Sequence, residues 1–123
     1  MITARVFEDN IKVKEALGDI PSGSVLVVDG GGSLKCALLG DQLAALAANR
    51  SIEGVIINGA VRDVAELSNI DLGILALGSN PKKSKKNGAG ERGVPLIFGG
   101  VHWHTGDYVY VDEDGVVISK IKR

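Results

Sequence analysis

Apolar positions along the chain fall in short runs, most of them closed by glycine, and their spacing switches between that of strands and that of helices. MITARVFED, residues 1–9, has strand character from its first residues, and NIKVKEALGD has the spacing of a short helix. IPSG is a turn. In SVLVVDGGG, Val25 to Val28 make a continuous, β-branched-rich run stopped by glycines, which predicts a buried strand. SLKCALLG and DQLAALAANR read as helical, the second with Leu43, Leu46 and Ala47 on one face. GVIING predicts a second buried strand, VRDVAELSNI a further helix and DLGILALG a third strand.

SNPKKSKKNGAGERG is polar, glycine-rich and carries four lysines, so it reads as a loop. Beyond it the pattern turns to alternation. VPLIFGGVHWHTGDYVYVDEDGVVISK predicts three strands joined by TGD and DEDG turns, an antiparallel meander. The front two thirds is β-α-β-like, and neither an internal repeat nor a domain boundary interrupts it. Residues 1–123 are therefore expected to form a single α/β domain with a mixed sheet. The apolar strand at the N-terminus, together with the glycine-rich turns, suggests that subunits cover one another's edges.

Composition narrows the function classes. The 123 residues are 45% hydrophobic and 24% charged, ordinary values for one globular core. A formal net charge of −1 gives no global electrostatic case for direct nucleic-acid binding or an anionic membrane surface. The apolar stretches are too short to span a bilayer, and no signal-peptide pattern opens the chain. The single cysteine, Cys36, excludes an internal disulfide and fits a reducing cytoplasm. With nothing nearby to activate a thiolate, it reads as a small core residue.

Candidate chemistry sits where strands hand over to helices. The triple glycine of VVDGGGS matches neither nucleotide-binding glycine pattern, and Lys35 falls at the wrong offset for a phosphate-loop lysine. It reads as a tight turn, with close approach of a ligand or a neighbouring subunit as the lesser reading. In LLGDQLAAL, Gly40 and Asp41 begin a helix, so the amides of Gln42 and Leu43 are donors suited to a carboxylate or phosphate. The competing reading makes Asp41 a plain N-cap.

In GAVRDVAEL, Asp63 and Glu66 have the spacing of a capping box. Arg62 is not explained that way, because a cation at a helix N-terminus opposes the helix dipole. One reading is a local ion pair with the two neighbouring acids, which contributes little when exposed; in a cleft, its planar fork suits a carboxylate or a keto acid. Twenty residues, 42–61, separate Asp41 from Arg62, one helix plus one strand, which returns the chain to the same edge of the sheet. Two carboxylates, an arginine and free amides would converge there, a hard-oxygen set suited to a water-rich Mg²⁺ or Mn²⁺ site. His102 and His104 share a strand face at zinc-ligating spacing but lack a third soft ligand. KKSKK is expected to be solvated rather than phosphate-binding.

The pattern Asp41, twenty residues, Arg62, Asp63 resembles the signature of the 4-hydroxy-4-methyl-2-oxoglutarate aldolases. Glu66 extends it to the form seen in the related RraA-like proteins, named for regulators of ribonuclease E activity. FEDN, VLVVDGGGSL, ALLGDQLA, GAVRDVAEL, DLGILALGSNPKKSKKNGAGE, FGGV and GDYVYVDEDGVVIS carry the similarity over nearly the whole chain. The resemblance implies a swivelling-domain-like β/β/α fold of mixed sheets flanked by helices. It implies a divalent cation, Mg²⁺ or Mn²⁺, held by Asp63, with Asp41 and also Glu66 acting through water. The pyruvoyl end of the substrate would lie against Arg62 and the amides of Gly40, Asp41, Gln42 and Leu43, with Arg62 and Asp41 catalytic. Arg62 would then face a developing enolate, whose charge outweighs the dipole cost.

The implied activity is that of a cytoplasmic metal-dependent pyruvate aldolase or oxaloacetate decarboxylase, assembled as a ring-shaped homotrimer or a hexamer. The rival it also implies is a non-catalytic regulator that binds ribonuclease E or an RNA helicase. Relatives that act only as regulators can lose the aspartate at the position of Asp63, which is present here. Family members usually carry a few dozen further residues ahead of the first strand, so the fold is expected to lack a helix and part of a sheet, or to have an edge covered by a partner. The larger aldolases also have a C-terminal extension supplying an acidic residue from a neighbouring subunit, which this chain lacks.

Overall fold

In the computed structural model, which describes residues 1–122, the β-branched runs become strands of one mixed sheet. β1 (Ile2–Arg5), β2 (Val25–Asp29), β4 (Gly54–Val61) and β5 (Gly73–Ser79) run parallel, in spatial order β5-β4-β2-β1. β3 (Ala37–Leu39) pairs with β4 beyond the point where β2 leaves it. Asn58 of β4 faces Asp29, whereas Ala60 and Val61 face Ala37 and Leu39. β6 (Glu91–Arg92) closes the far side, antiparallel to β1.

Two helices, α1 (Ile11–Asp19) and α2 (Asp41–Asn49), cover one face of this sheet. Val13, Ala16 and Leu17 of α1 and Ala44 and Ala47 of α2 are buried against Ala4, Leu26, Val28, Val55 and Ile57. Side-chain alternation sends Val27 and Ile56 to the opposite face, where they meet Leu96 and Trp103. Those two residues come from the hairpin of β7 (Leu96–Phe98) and β8 (Val101–Trp103), pinned by a stacked Phe98–Trp103 pair with centroids 4.7 Å apart. A second hairpin, β9 (Tyr108–Asp112) and β10 (Gly115–Ser119), adds Val109 and Ile118 to that cluster. The layers are hairpins, sheet and helices, the β/β/α arrangement that the resemblance implies.

Four expectations need correction. SLKCALLG is not helical: residues 31–35 turn and Ala37–Leu39 form β3. The back third is not one three-stranded meander but two separate hairpins, because Gly99 and Gly100, both at positive φ, fold β7 onto β8. VRDVAELSNI yields only a single helical turn, α3 (Val64–Leu67). The N-terminal strand is not an open edge either, since β1 lies between β2 and the short edge strand β6; β5 is the long open edge among the described residues.

Lys82, Lys83, Lys85 and Lys86 are exposed, as expected of a solvated run, but the backbone that carries them is tethered. Asn80 N–H donates to Val61 O (3.0 Å), Ala37 N–H to Lys82 O (2.8 Å) and Lys85 N–H to Glu8 O (2.9 Å). The segment therefore straps the carboxyl edge of the sheet from the end of β5, past β3, to the end of β1. Asp9 anchors its far end: the carboxylate, only 2% exposed, accepts the amides of Asn87 (2.7 Å) and Gly88 (3.1 Å) and that of Ile11 at the start of α1 (3.1 Å).

Candidate active site

The carboxyl ends of β3 and β4 lie side by side, and each supplies half of a constellation. Arg62 N–H donates to Leu39 O at 2.9 Å, which holds the first residue after β4 against the last residue of β3. The next residues on the two chains are Asp63 and Gly40–Asp41. The Asp63 carboxylate oxygen Oδ2 accepts from the Asp41 amide (3.2 Å) and from Arg62 Nη1 (2.9 Å). Sequence spacing predicted this meeting of Asp41, Arg62 and Asp63, and the structure brings all three together.

Gly40 makes room for the guanidinium. A Cβ there would lie 2.6 Å from Arg62 Cζ and 2.9 Å from Nη2, so the arginine packs flat against bare backbone. Gly40 is buried, while the Arg62 and Asp63 side chains remain 22% and 31% exposed, open enough to meet a ligand. Gly40 is also the N-cap of α2, with extended backbone (φ −126°), and Asp41 is the first helical residue. The N-cap reading of Asp41 is thus off by one position, and its carboxylate makes no hydrogen bond among the described residues. The amides of Gln42 and Leu43 have no hydrogen-bond partner there either, so the donor end of α2 is available.

The capping-box reading of Asp63 and Glu66 fails. Asp63 precedes α3 but makes no side-chain cap, because its carboxylate is committed to Arg62 and the Asp41 amide; Glu66 is exposed. Asp63 adopts the left-handed conformation (φ 58°, ψ 44°), which aspartate tolerates better than most residues but at some cost in strain. Since α3 has four residues, the dipole that made Arg62 look misplaced is that of a single turn.

The remaining candidates resolve as structure. Gly31 and Gly32 have φ of +68° and +73°, and a Cβ on Gly30 would fall 2.7 Å from Leu38 Cδ1. Asn58 and Asp29 close the turn with hydrogen bonds to Gly32 and Gly31, so the triple glycine is a packed turn and not a phosphate cradle. Cys36 is buried; burial and the nearby Glu8 carboxylate push its thiol up, away from reactivity. His104 Nδ1 lies 3.2 Å from Lys120 Nζ and 3.7 Å from Asp107 Oδ2, in a cluster that ties β10 back to the β8–β9 turn. Among the described residues, no group of three His, Cys, Asp or Glu side chains is placed to hold a metal ion.

The donor set at Asp63 still suits one kind of cation. Oδ1 of Asp63 and the Asp41 carboxylate have no hydrogen-bond partner among the described residues, and both are hard oxygens. Two such oxygens with room for water fit Mg²⁺ or Mn²⁺ and not a zinc centre, which needs a fuller set of protein ligands. Sequence reasoning missed the strap, whose Asn80 joins the site through Val61 O; only its four lysines drew notice, and lysines alone do not report tethering.

Residues 1–118 match the family described as RraA-like, Aldolase/RraA. A Bacillus cereus protein bearing the name "Putative 4-hydroxy-4-methyl-2-oxoglutarate aldolase" is 59% identical over 118 residues, covering 96% of this chain and 74% of that protein. An Arabidopsis thaliana protein with the same name, numbered 3, is 49% identical over 120 residues, 98% of this chain and 72% of that one. Among solved structures, the RNA-processing inhibitor RraA from Thermus thermophilus superposes with a TM-score of 0.95 at 48% identity, over 97% of this chain and 73% of that chain. A Geobacillus kaustophilus protein described as an S-adenosylmethionine:2-dimethylmenaquinone methyltransferase superposes with a TM-score of 0.97 at 54% identity, over 98% and 75%. The chain thus spans about three quarters of the length of these relatives.

Proposed function

Because the chain belongs to the RraA-like aldolase family, we propose that it is a divalent-metal-dependent lyase acting on short 2-oxo acids through a pyruvate enolate. The observation that carries this reading is the Arg62 guanidinium held flat against Gly40 by Asp63, beside the open amides of Gln42 and Leu43. A 2-oxo acid fits that pair: its carboxylate takes the helix amides, and its 2-oxo oxygen faces the guanidinium. Breaking the C3–C4 bond of a 4-hydroxy-2-oxo diacid, or losing CO₂ from C4 of oxaloacetate, leaves the same electron pair on C3. Delocalised, that pair puts negative charge on the 2-oxo oxygen, where Arg62 stabilises it. Asp41 would orient water or accept the 4-hydroxyl proton.

Asp63 would hold Mg²⁺ or Mn²⁺, with Asp41 and Glu66 acting through water; when bound, the ion supplies Lewis-acid polarisation of the 2-oxo group. Arg62 is open on one side, and we expect a ring-shaped homotrimer, or a hexamer, to complete the site at a subunit boundary. The test is oxaloacetate decarboxylation with and without Mg²⁺. Turnover that requires the metal supports the lyase reading, and none under either condition rejects it.

One comparison favours a second reading. The likeness to an RNA-processing inhibitor supports a regulator that binds ribonuclease E or an RNA helicase without catalysis. That reading predicts inhibition of ribonuclease E that survives loss of the Asp63 carboxylate.

A further inference from the structure

We propose that the lysine strap reads the second carboxylate of a 2-oxo diacid, through Lys82 or Lys83. The proposal rests on the 2-oxo acid reading of the Arg62 site and adds a specificity determinant to it. Strap and site share the carboxyl end of β4, and the strap also meets β3 at its first residue. Asn80 N–H is bound to Val61 O (3.0 Å), the residue before Arg62, and Lys82 O accepts from Ala37 N–H (2.8 Å). Lys83 forms a parallel bridge with Ala37. From Ala37 the chain runs through Leu38 and Leu39 to Gly40, three residues of strand, or about 10 Å. A lysine stem covers much of that distance, and the five-carbon chain of a bound diacid covers the rest.

Charge and order point the same way. Lys82, Lys83 and Lys85 form no ion pair among the described residues, whereas Lys86 donates to Asn10 Oδ1 at 3.2 Å. The backbone beneath them is fixed before any ligand arrives, by Ala37 at one end and by the buried Asp9 carboxylate at the other. Recognition therefore does not have to order a loose loop, a cost that would consume most of the gain from an exposed charge pair. Lys82 lies in a bend of the strap and Lys83 in its bridge to Ala37, so each is substituted in turn.

The test is equilibrium binding by calorimetry, in Mg²⁺, of 2-oxoglutarate and of 2-oxopentanoate. The two have the same chain length and differ in the distal carboxylate; neither carries the 4-hydroxyl that cleavage needs. The unsubstituted protein is expected to bind the diacid about five- to tenfold more tightly. Either Lys82→Met or Lys83→Met should bring that ratio close to one, while Lys14→Met, on α1, leaves it intact. A ratio near one in the unsubstituted protein overturns the strap proposal alone, as does a ratio that survives in both single variants and in the double variant. If neither acid binds, the 2-oxo acid reading falls and takes the strap proposal with it.

Discussion

Arg62 has its place because Gly40 has no side chain. A Cβ at Gly40 would fall 2.6 Å from Arg62 Cζ, yet the backbone there is extended and accepts any residue, and a guanidinium can swing aside. Gly40→Ala should therefore fold with stability within about 0.5 kcal/mol of the parent. Its turnover should fall by about tenfold or more, because the fork is displaced from the position where charge develops. Thermal melts and oxaloacetate kinetics on one preparation check both halves; a lower melting temperature with unchanged kinetics would contradict them. Arg62→Lys keeps the charge and loses the fork, so kcat/KM should drop by about two to three decades, roughly 3 to 4 kcal/mol. Kinetics within about a factor of two of the parent, under 0.5 kcal/mol, would remove Arg62 from catalysis. At this scale the sequence was legible where residues are fixed by topology. The interval between Asp41 and Arg62 predicted their meeting, whereas the cap role of Asp41 turned on a shift of one residue, which spacing cannot resolve, and that of Asp63 on its carboxylate turning to Arg62 and the Asp41 amide.

Elements were legible where they are long enough to show a period. β2 and β4 are continuous apolar runs and formed as predicted, but β3 has three residues, and Leu34, Ala37 and Leu38 happen to carry helical spacing. The strap was opaque for another reason: its anchor, Asp9, lies 78 residues before Asn87. Burial pushes the Asp9 carboxyl up, but the backbone amides of Ile11, Asn87, Gly88 and Ala89 outweigh it and hold the group below the usual carboxylate range. A depressed folded pKa gives stability that is complete above the unfolded value of about 4 and is lost as pH falls through the lower folded one. Asp9→Asn leaves one acceptor oxygen where the carboxylate uses two, and should cost about 2 kcal/mol at pH 7. Urea unfolding at pH 7 and near pH 3 would show that cost shrinking on acidification. A cost that is constant with pH would mean that the Asp9 charge does not hold the strap.

For the whole molecule, the exposed edge is the feature that the chain leaves unresolved by itself. β5 carries Leu75 and Leu77, 43% and 60% exposed, and open clefts of about 500 and 450 Å³ lie on its two faces. Neither cleft is lined by Arg62 or Asp63. An apolar unpaired edge favours assembly, and light scattering at micromolar concentration should give a mass of about three times 12.8 kDa or a multiple of that. A monomer would mean that the site works open or not at all. The mixed α/β sheet followed from alternation and run length and the β/β/α layering from the family resemblance, while the exposed β5 edge followed from neither, because strand order is a property of the assembled sheet. No helix among the described residues is long and apolar enough to cross a membrane. The central claim is that Asp63 and Arg62 form a metal-assisted enolate site, and a Mg²⁺ titration of oxaloacetate decarboxylation by the parent and by Asp63→Asn tests it most directly. Asparagine tolerates the left-handed backbone of Asp63, so the variant should stay folded. Saturable, Mg²⁺-dependent turnover in the parent and none in the folded variant is the predicted result; equal turnover in both, or activity indifferent to Mg²⁺, would contradict it.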